Sequence, residues 1–267
     1  MPNPSNLQGV VMKFVTHSGM YHADDVLSTA LLCIVYGKSE VLSKLERVSD
    51  ITSVEIKEKE GDIVFDIGYG QFDHHQSDKR VRTNGIPYAA FGLLWKKYST
   101  LSGIGLGLHP WVADLMDKEF VQFVDQTDNF GQAKYPNTLA ALVSSAFKAG
   151  RSFVDTVTLV LPLLEDLIKS YKELSDQKSD FVLEYDDSSI FNGKTRHFDG
   201  RVFEGTNVKF VLGPSLRGPG VVLRSLDSDN YPIVDVEGIR PLFIHAGRFT
   251  ATYASEEDAL AAANASL

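Results

Sequence analysis

Cysteine is almost absent from this 267-residue sequence, which contains one, Cys33. A single cysteine cannot form a disulfide within the chain, so a fold held together by internal disulfides is excluded. Cys33 lies in an apolar helical pattern and is expected to be a small core residue. Long apolar runs are also missing, since none approaches the roughly 18 residues of a membrane-spanning helix. No basic segment leads into a long apolar stretch near the start, so we expect a cytoplasmic location, no secretion signal and no membrane partner.

Positive charge is scarce as well. The chain carries 26 Lys and Arg residues against 35 Asp and Glu, which gives a formal net charge of -9. Proteins that coat nucleic acid nonspecifically neutralise phosphates with Lys and Arg, so this composition disfavours that class. An enzyme that acts on the ends of nucleic acids stays open, because a bound metal ion supplies positive charge locally.

The first part of the chain alternates strand patterns with helix patterns. The candidate strands are residues 10–15, 45–48 and 62–67. The candidate helices are residues 88–98, residues 110–128 and a first helix that starts at Asp24 or Asp25 and ends at about Gly37. This alternation predicts an α/β fold with a mostly parallel sheet that is covered by helices. Ligands of such sheets bind outside the carboxyl ends of the strands, where His17 and Asp66 are both expected.

The pattern changes in the second part of the chain. Residues 138–178 are expected to be helical, with a kink or break at Pro162. The later candidate strands are separated by Gly, Pro, Asp and Asn turns, and they are residues 181–185, 208–212, 221–224 and 242–244. Ser255 is expected to start a last helix. We therefore expect two domains, residues 10–150 and residues 151–267, of which the second is a helical connector with a smaller α+β portion.

Four of the seven histidines fall in two short segments. The first segment is His17-x4-His22-x-Asp24-Asp25, and the second, further along the chain, is Asp73-His74-His75. Imidazole and carboxylate groups together suit Mn²⁺, Zn²⁺ or Fe²⁺. Any one of these residues taken alone has a structural explanation, such as a helix cap or a hydrogen-bonded core side chain. Their joint arrangement favours a metal site.

Several carboxylates at one site repel one another unless cations balance them. Two divalent ions would balance this negative charge, and Asp66 is the carboxylate expected to bridge them. Histidine on each side favours a transition metal over Mg²⁺ alone, and two Mn²⁺ ions are expected, with Mg²⁺, Zn²⁺ or Fe²⁺ as alternatives. Either Asp125 or Asp128, which share one helix face, would complete the ligands, and the sequence leaves that choice open. Ions about 3.5–4 Å apart lower the pKa of a shared water to about 7, which suits attack on phosphorus.

Basic residues follow the double histidine closely. Lys79, Arg80 and Arg82 are candidates for binding a substrate phosphate beside the metals. The alternative for this segment is an ordinary solvated loop.

Three segments together resemble the DHH phosphoesterase superfamily, which contains RecJ-type exonucleases, oligoribonucleases and manganese pyrophosphatases. They are residues 17–25, Asp66 after its strand, and residues 73–76. The usual first motif of that superfamily has an aspartate four residues after the first histidine. This chain has Tyr21 at that position, followed by His22.

With this change the first motif resembles that of one subgroup, the melanocyte-proliferating-gene-like family of metal-dependent hydrolases. The Val-Asp-x-x-Asp-Asn segment of that family is matched by residues 124–129, and its Phe-x-His-Ala-Gly segment by residues 243–247. The resemblance implies a 3′–5′ exonuclease on RNA or short oligonucleotides. It also implies that residues 10–150 form a DHH-like metal-binding catalytic domain and that residues 151–267 bind substrate.

The resemblance implies a role for individual residues. The implied metal ligands are His17, His22, Asp24, Asp66, His74 and either Asp125 or Asp128. Asp66 and His74 would be catalytic, together with His75, which would contact substrate or orient the site. The second domain would contact phosphates through Arg217, Arg224, His245 and Arg248. Two other functions stay open, a hydrolase of pyrophosphate or a cyclic dinucleotide and a metal-dependent binding protein without turnover, as does assembly into a homo-oligomer.

Overall fold

The structure of the protein is a computed structural model that describes residues 12–49, 61–131 and 139–267. The chain divides into two compact units, Met1–Lys172 and Glu173–Leu267. Each unit has its own sheet. The roles that the sequence suggests for residues 10–150 and 151–267 stay predictions.

The first unit is built on a three-stranded parallel sheet. Its strands are β1 (Phe14–His17), β2 (Leu45–Val48) and β3 (Ile63–Val64), in the order β2-β1-β3. Phe14 and Val15 on the central strand are both fully buried. Because successive strand residues point to opposite faces, both faces of this sheet are covered. The predicted α/β architecture with a parallel sheet is confirmed.

The first unit also contains helices. They are α1 (Ala23–Tyr36), α2 (Lys38–Ser43), α3 (Ala90–Tyr98), α4 (Pro110–Met116), α5 (Gln122–Phe130), α6 (Leu139–Lys148) and the start of α7 (Phe153–Glu184). A π-helical segment, Asp117–Val121, joins α4 directly to α5. Such segments are rare and are frequently found at functional sites.

The end of the predicted strand 62–67 differs from the structure. Asp66 has a φ of 56°, in the left-handed region that few non-glycine residues adopt, so the extended backbone ends before it. Phe65 makes an isolated parallel bridge to Phe72 instead. Val10 and Val11, at the start of the first predicted strand, lie outside the described residues.

Helix α7 corrects two expectations. The helical region is interrupted at Gly150, which has a φ of 74°. It is not interrupted at Pro162, since α7 continues past that proline. The strand predicted at residues 181–185 is the end of the same helix. Phe181 is buried on the helix face that also buries Leu174, because seven residues are close to two helical turns.

The second unit contains a five-stranded mixed sheet. Its strands are β4 (Ile190–Asn192), β5 (Phe210–Pro214), β6 (Val221–Ser225), β7 (Phe243–Ile244) and β8 (Thr250–Tyr253), in the order β4-β5-β6-β8-β7. β4 and β5 are parallel, and the other pairs are antiparallel. Helix α8 (Glu256–Ala265) packs on this sheet, and the Ser255 hydroxyl caps it by accepting the Asp258 N–H.

Across the described ranges, no helix is both long enough and apolar enough to cross a membrane.

Candidate metal centre

The turn from β1 to α1 supplies the first group of site residues. His17 ends β1, and Asp24 and Asp25 lie in the first turn of α1, where both are fully buried. The His22 N–H donates to the Asp25 carboxylate at 2.8 Å, which ties the turn to the helix. Acidic residues are favoured there because they face the positive end of the helix dipole. The same local preference therefore begins the helix and brings two carboxylates to the carboxyl end of the sheet.

The loop after β3 supplies the second group, and Asp73 holds this loop in place. Its carboxylate accepts the N–H groups of Tyr69 at 2.6 Å and His74 at 2.7 Å, and it lies 2.6 Å from the His75 Nδ1 atom. Burial alone would raise the pKa of Asp73, but the hydrogen bonds from His75 and from the backbone outweigh it and lower the pKa to about 2. Asp73 therefore stays ionised and fixes the loop that carries the double histidine.

One half of the site is formed around His17. Its Nε2 atom lies 3.2 Å from a carboxylate oxygen of Asp25 and 3.2 Å from one of Asp66. These three residues form a group whose donor atoms all lie within 4.8 Å of one another. The two nearby carboxylates, Asp25 before Asp66, raise the pKa of His17 to about 10. A proton on His17 thus balances part of the negative charge, and a divalent cation would compete with that proton.

The other half of the site is formed around His74. Its Nδ1 atom lies 3.5 Å from an Asp66 oxygen and 4.0 Å from an Asp24 oxygen, and its Nε2 atom lies 3.0 Å from Asp128. Asp24, His74 and Asp128 form another group within 4.8 Å. Asp66 thus faces His17 with one oxygen and His74 with the other. This is the position expected of a carboxylate that bridges two cations.

The chemistry of this arrangement fits divalent cations. Asp66 Oδ1 and His74 Nδ1 are buried, and within the described part of the chain neither atom has a hydrogen-bond partner. Buried polar atoms are normally paired, and an ion is one of the few explanations for such atoms. Burial first, and then the Asp66 carboxylate, raise the pKa of Asp24. Burial also raises the pKa of Asp66, and His17 opposes that change. The charged forms of these two carboxylates are therefore disfavoured unless a cation lies beside them.

Asp24 is held by a third element of the fold. Its two oxygens accept the N–H groups of Ala90 at 3.0 Å and Phe91 at 2.7 Å, in the first turn of α3. Unpaired N–H groups at a helix start readily donate hydrogen bonds to a negatively charged group. Helix α3 therefore fixes the orientation of this carboxylate toward His74.

Asp125 and Asp128 have different surroundings in the structure. Asp128 belongs to the His74 group, whereas Asp125 is fully buried, accepts the Gly92 N–H at 3.0 Å and lies 2.7 Å from the Arg82 guanidinium. Burial raises the pKa of Asp125 to about 7, although Arg82 opposes the change. The geometry favours Asp128 as the metal ligand and gives Asp125 a supporting role between α3 and α5.

The remaining histidines lie at the edge of the site. The His22 side chain is half exposed, and its Nδ1 atom lies 3.7 Å from Asp128. Within the described residues it belongs neither to these two groups nor to the third candidate group, which is formed by Asp66, Asp73, His74 and His75. His75 stacks on His74 with ring centroids 4.3 Å apart, while its hydrogen bond to Asp73 raises its pKa. His75 thus packs on the His74 ring and keeps part of its own ring exposed.

Asp25 is the member of the site that the sequence analysis left out of its ligands. A helix cap was the structural alternative for an acid at this position, and Asp25 also accepts the His22 N–H at the start of α1. The available signal was the pair of adjacent acids directly after a strand end.

A cavity of about 520 Å³ opens over these residues and is called the first cavity below. Its lining includes His17, His22, Asp66, Tyr69, His75, Lys79 and Asn129. Lys79 donates to the Asn129 side chain at 3.0 Å, and the exposed Arg80 donates to the Gly70 carbonyl at 3.3 Å.

Arg82 was expected among the phosphate-binding residues, but its guanidinium is buried and taken up by two carboxylates. It donates to Asp117 at 2.8 and 2.7 Å, and it lies 2.7 Å from Asp125. Its guanidinium also stacks over the Tyr88 ring at 3.9 Å. A side chain so enclosed has no donor directed at the first cavity, so Arg82 supports the fold around the site.

The four other predicted phosphate contacts lie in the second unit. Arg217 is exposed in the loop between β5 and β6, and His245 is exposed and packs on Phe249 with ring centroids 4.2 Å apart. The Arg224 guanidinium donates to the Phe198 carbonyl, and Arg248 pairs with Asp235 at 2.8 Å. Their role in substrate binding stays a prediction.

Comparison with known proteins identifies a family for this chain. The family model MYG1_exonuc, described as Uncharacterised protein family (UPF0160), matches residues 13–182. The matched segment contains all the histidines and aspartates of the candidate metal centre. Searches of curated proteins and of solved structures returned no match. Because the match covers well over half of the sequence and includes the whole site, the chain belongs to the MYG1_exonuc family.

Proposed function

We propose that this protein is a metal-dependent phosphoesterase of the DHH type that acts as a 3′–5′ exonuclease on RNA or short oligonucleotides. The name of the family model supports an exonuclease. The observation that carries the proposal is the Asp66 carboxylate, which lies 3.2 Å from His17 with one oxygen and 3.5 Å from His74 with the other. A site of this kind suits two cations, and its mixture of carboxylate and imidazole ligands favours a transition metal such as Mn²⁺ over Mg²⁺.

The proposed ligands divide into two sets that share Asp66. His17 and Asp25 would hold one cation with it, and Asp24, His74 and Asp128 would hold the other, next to the Asp66 oxygen that lies 3.5 Å from His74. Divalent ions bound there would lower the pKa of an attacking water toward about 7 and place positive charge against the phosphoryl oxygens.

Residues of the chain itself position the substrate in this proposal. The exposed edge of His75, whose pKa is raised by Asp73, donates a hydrogen bond to a phosphoryl oxygen where charge develops. Lys79, steadied by Asn129 at the wall of the first cavity, adds positive charge there. Donors held in place before the reaction stabilise the developing charge without having to reorganise.

The test is a nuclease assay with Mn²⁺-loaded protein and oligoribonucleotides labelled at either end. The expected result is a ladder that shortens from the 3′ end. His74→Ala should reduce turnover by about 100-fold or more, since even residues behind the ligands cost about 10–100-fold. The control is His109→Ala, which removes an exposed histidine at the start of α4. Unchanged turnover in His74→Ala, or no phosphoester turnover at all, contradicts the proposal.

A second candidate is a hydrolase of a small phosphate compound such as pyrophosphate or a cyclic dinucleotide. The volume of the first cavity, about 520 Å³, favours it because small-molecule sites commonly have this size. This function predicts that turnover is independent of oligonucleotide length.

A further inference from the structure

A second cavity adjoins the candidate metal centre. It has a volume of about 500 Å³, and it shares His22 and Asp128 with the first cavity. Asp24 also lines it, and the rest of its described lining comes mainly from α5, Gly131 and α6. We call it the α6 cavity, after the helix that carries Ser144, Ser145 and Lys148. Two cavities of nearly equal size therefore share Asp128, one of the residues that are proposed to hold a cation.

The walls of the α6 cavity are suited to a sugar-phosphate chain. Thr127, Ser144 and Ser145 bring hydroxyl groups to it, and Lys148 is the cation among its described lining residues. The hydroxyls of Thr127 and Ser145 donate to carbonyls of their own helices, so their lone pairs are free to accept hydrogen bonds from sugar hydroxyls. Ser144 and Lys148 are exposed on the same side of α6, four residues apart.

We propose that the α6 cavity binds the nucleotide on one side of the scissile phosphate while the first cavity binds the nucleotide on the other side. This inference rests on the proposed function and adds where the two nucleotides that flank the scissile phosphate bind. A phosphodiester carries a substituent on each side of phosphorus, and in-line attack places the attacking and leaving oxygens opposite each other. A site for such a substrate therefore needs room on both sides of the metals.

The size and charge of the α6 cavity support this division. Each cavity lies within the range of sites that enclose a small molecule, so each has room for one nucleotide. Lys148 is placed to contact the next phosphate along the chain, a contact that carries affinity without base specificity. A compact substrate such as pyrophosphate would leave the α6 cavity unused.

The test uses two changes in the α6 cavity and two matched changes elsewhere. Ser144→Trp fills the cavity with a large side chain, and Lys148→Gln removes its positive charge. The controls are Ser170→Trp and Lys169→Gln, which change exposed residues of α7 outside both cavities. Each Mn²⁺-loaded protein is assayed with a trinucleotide of RNA and with bis(p-nitrophenyl) phosphate, a small diester. Equilibrium binding of a phosphorothioate-linked trinucleotide gives a readout that does not depend on turnover.

The expected result is selective for the longer substrate. In Ser144→Trp, the ratio of kcat/KM for the trinucleotide to that for the small diester should fall about tenfold, with a matching loss of trinucleotide binding. In Lys148→Gln, trinucleotide binding should weaken about three- to fivefold. The slope of log Kd against log salt concentration should also fall by about 0.7, the value for one lost contact to a single strand. Both controls should behave like the unchanged protein.

Two outcomes overturn the inference, and they can be told apart. If the α6 variants change trinucleotide binding and turnover no more than their controls do, the α6 cavity is not a substrate site, while the proposed function stands. If the unchanged protein cleaves neither substrate, the proposed function fails and this subsite fails with it.

Discussion

Arg82 offers a sharp test of how the site is supported. It is 8% exposed and contacts two carboxylates, of which Asp125 is fully buried. Arg82→Met keeps the length and apolar stem of the side chain but removes its charge. Because the change leaves buried negative charge without a partner, it should lower the free energy of unfolding by about 3–5 kcal/mol. A substrate-binding arginine on a solvated loop would instead change stability by less than about 0.5 kcal/mol.

Urea unfolding followed by tryptophan fluorescence measures this loss. The chain has two tryptophans, Trp95 and Trp111, and both lie in the first unit, so the signal reports that unit. Arg80→Met is the matched control, because Arg80 is exposed and its side chain donates to the Gly70 carbonyl alone among the described contacts. The control should change the free energy of unfolding by less than about 0.5 kcal/mol.

A second substitution separates the lost charge partner from lost packing. In the Arg82→Met background, Asp125→Asn replaces the stranded carboxylate with a neutral amide. The double variant should be more stable than the sum of the single changes by at least about 1 kcal/mol, since the two residues interact directly. The reasoning is refuted if Arg82→Met unfolds within about 0.5 kcal/mol of the unchanged protein while it raises KM for oligonucleotides.

Three further changes test separate contacts. Gly92→Ala places a Cβ atom 1.9 Å from a buried carboxylate oxygen and should cost about 1–3 kcal/mol or more in urea unfolding, whereas Gly200→Ala meets its nearest atom at 3.7 Å and should be close to neutral. Arg47 donates to the His17 carbonyl at 3.0 Å, so Arg47→Lys should weaken Mn²⁺ binding about tenfold in calorimetry, and unchanged binding would contradict this. Burial raises the pKa of Cys33 to about 11, so at pH 8 about one thiol in a thousand is ionised, and a thiol reagent should label it only after unfolding. Rapid labelling of the folded protein would contradict that burial.

The position of the site could be predicted because it depends on local patterns. The strand pattern ending at His17 and the one before Asp66 predict two neighbouring carboxyl ends, and the structure pairs β1 with β3 in parallel. The clustering of histidine and aspartate then predicts what meets there. These inferences need only periodicity and the general behaviour of parallel sheets.

The assignment of individual acids could not be predicted, because it depends on contacts between distant elements. Asp125 and Asp128 are equivalent by helical spacing. They differ because Gly92 and Arg82 approach Asp125, whereas His74 approaches Asp128. The sequence contains no local signal of these contacts, nor of the π-helical segment before α5.

Two other expectations failed for related reasons. Residues 181–185 have the composition of a strand, but Phe181 packs against Phe191 and Phe203 from the end of a helix. Tertiary packing therefore overrides local propensity there. Arg82 lies in a basic segment of the kind that binds phosphate. Its contact with Asp117 depends on how the helices pack, which the sequence does not indicate.

Anomalous diffraction from crystals grown with Mn²⁺, recorded at the manganese absorption edge, tests the central claim most directly. The account predicts two peaks for each chain, both bonded to Asp66. One peak should also contact His17 and the other His74. A single peak, a pair of peaks that does not share Asp66, or no peak between these residues would contradict the two-cation site.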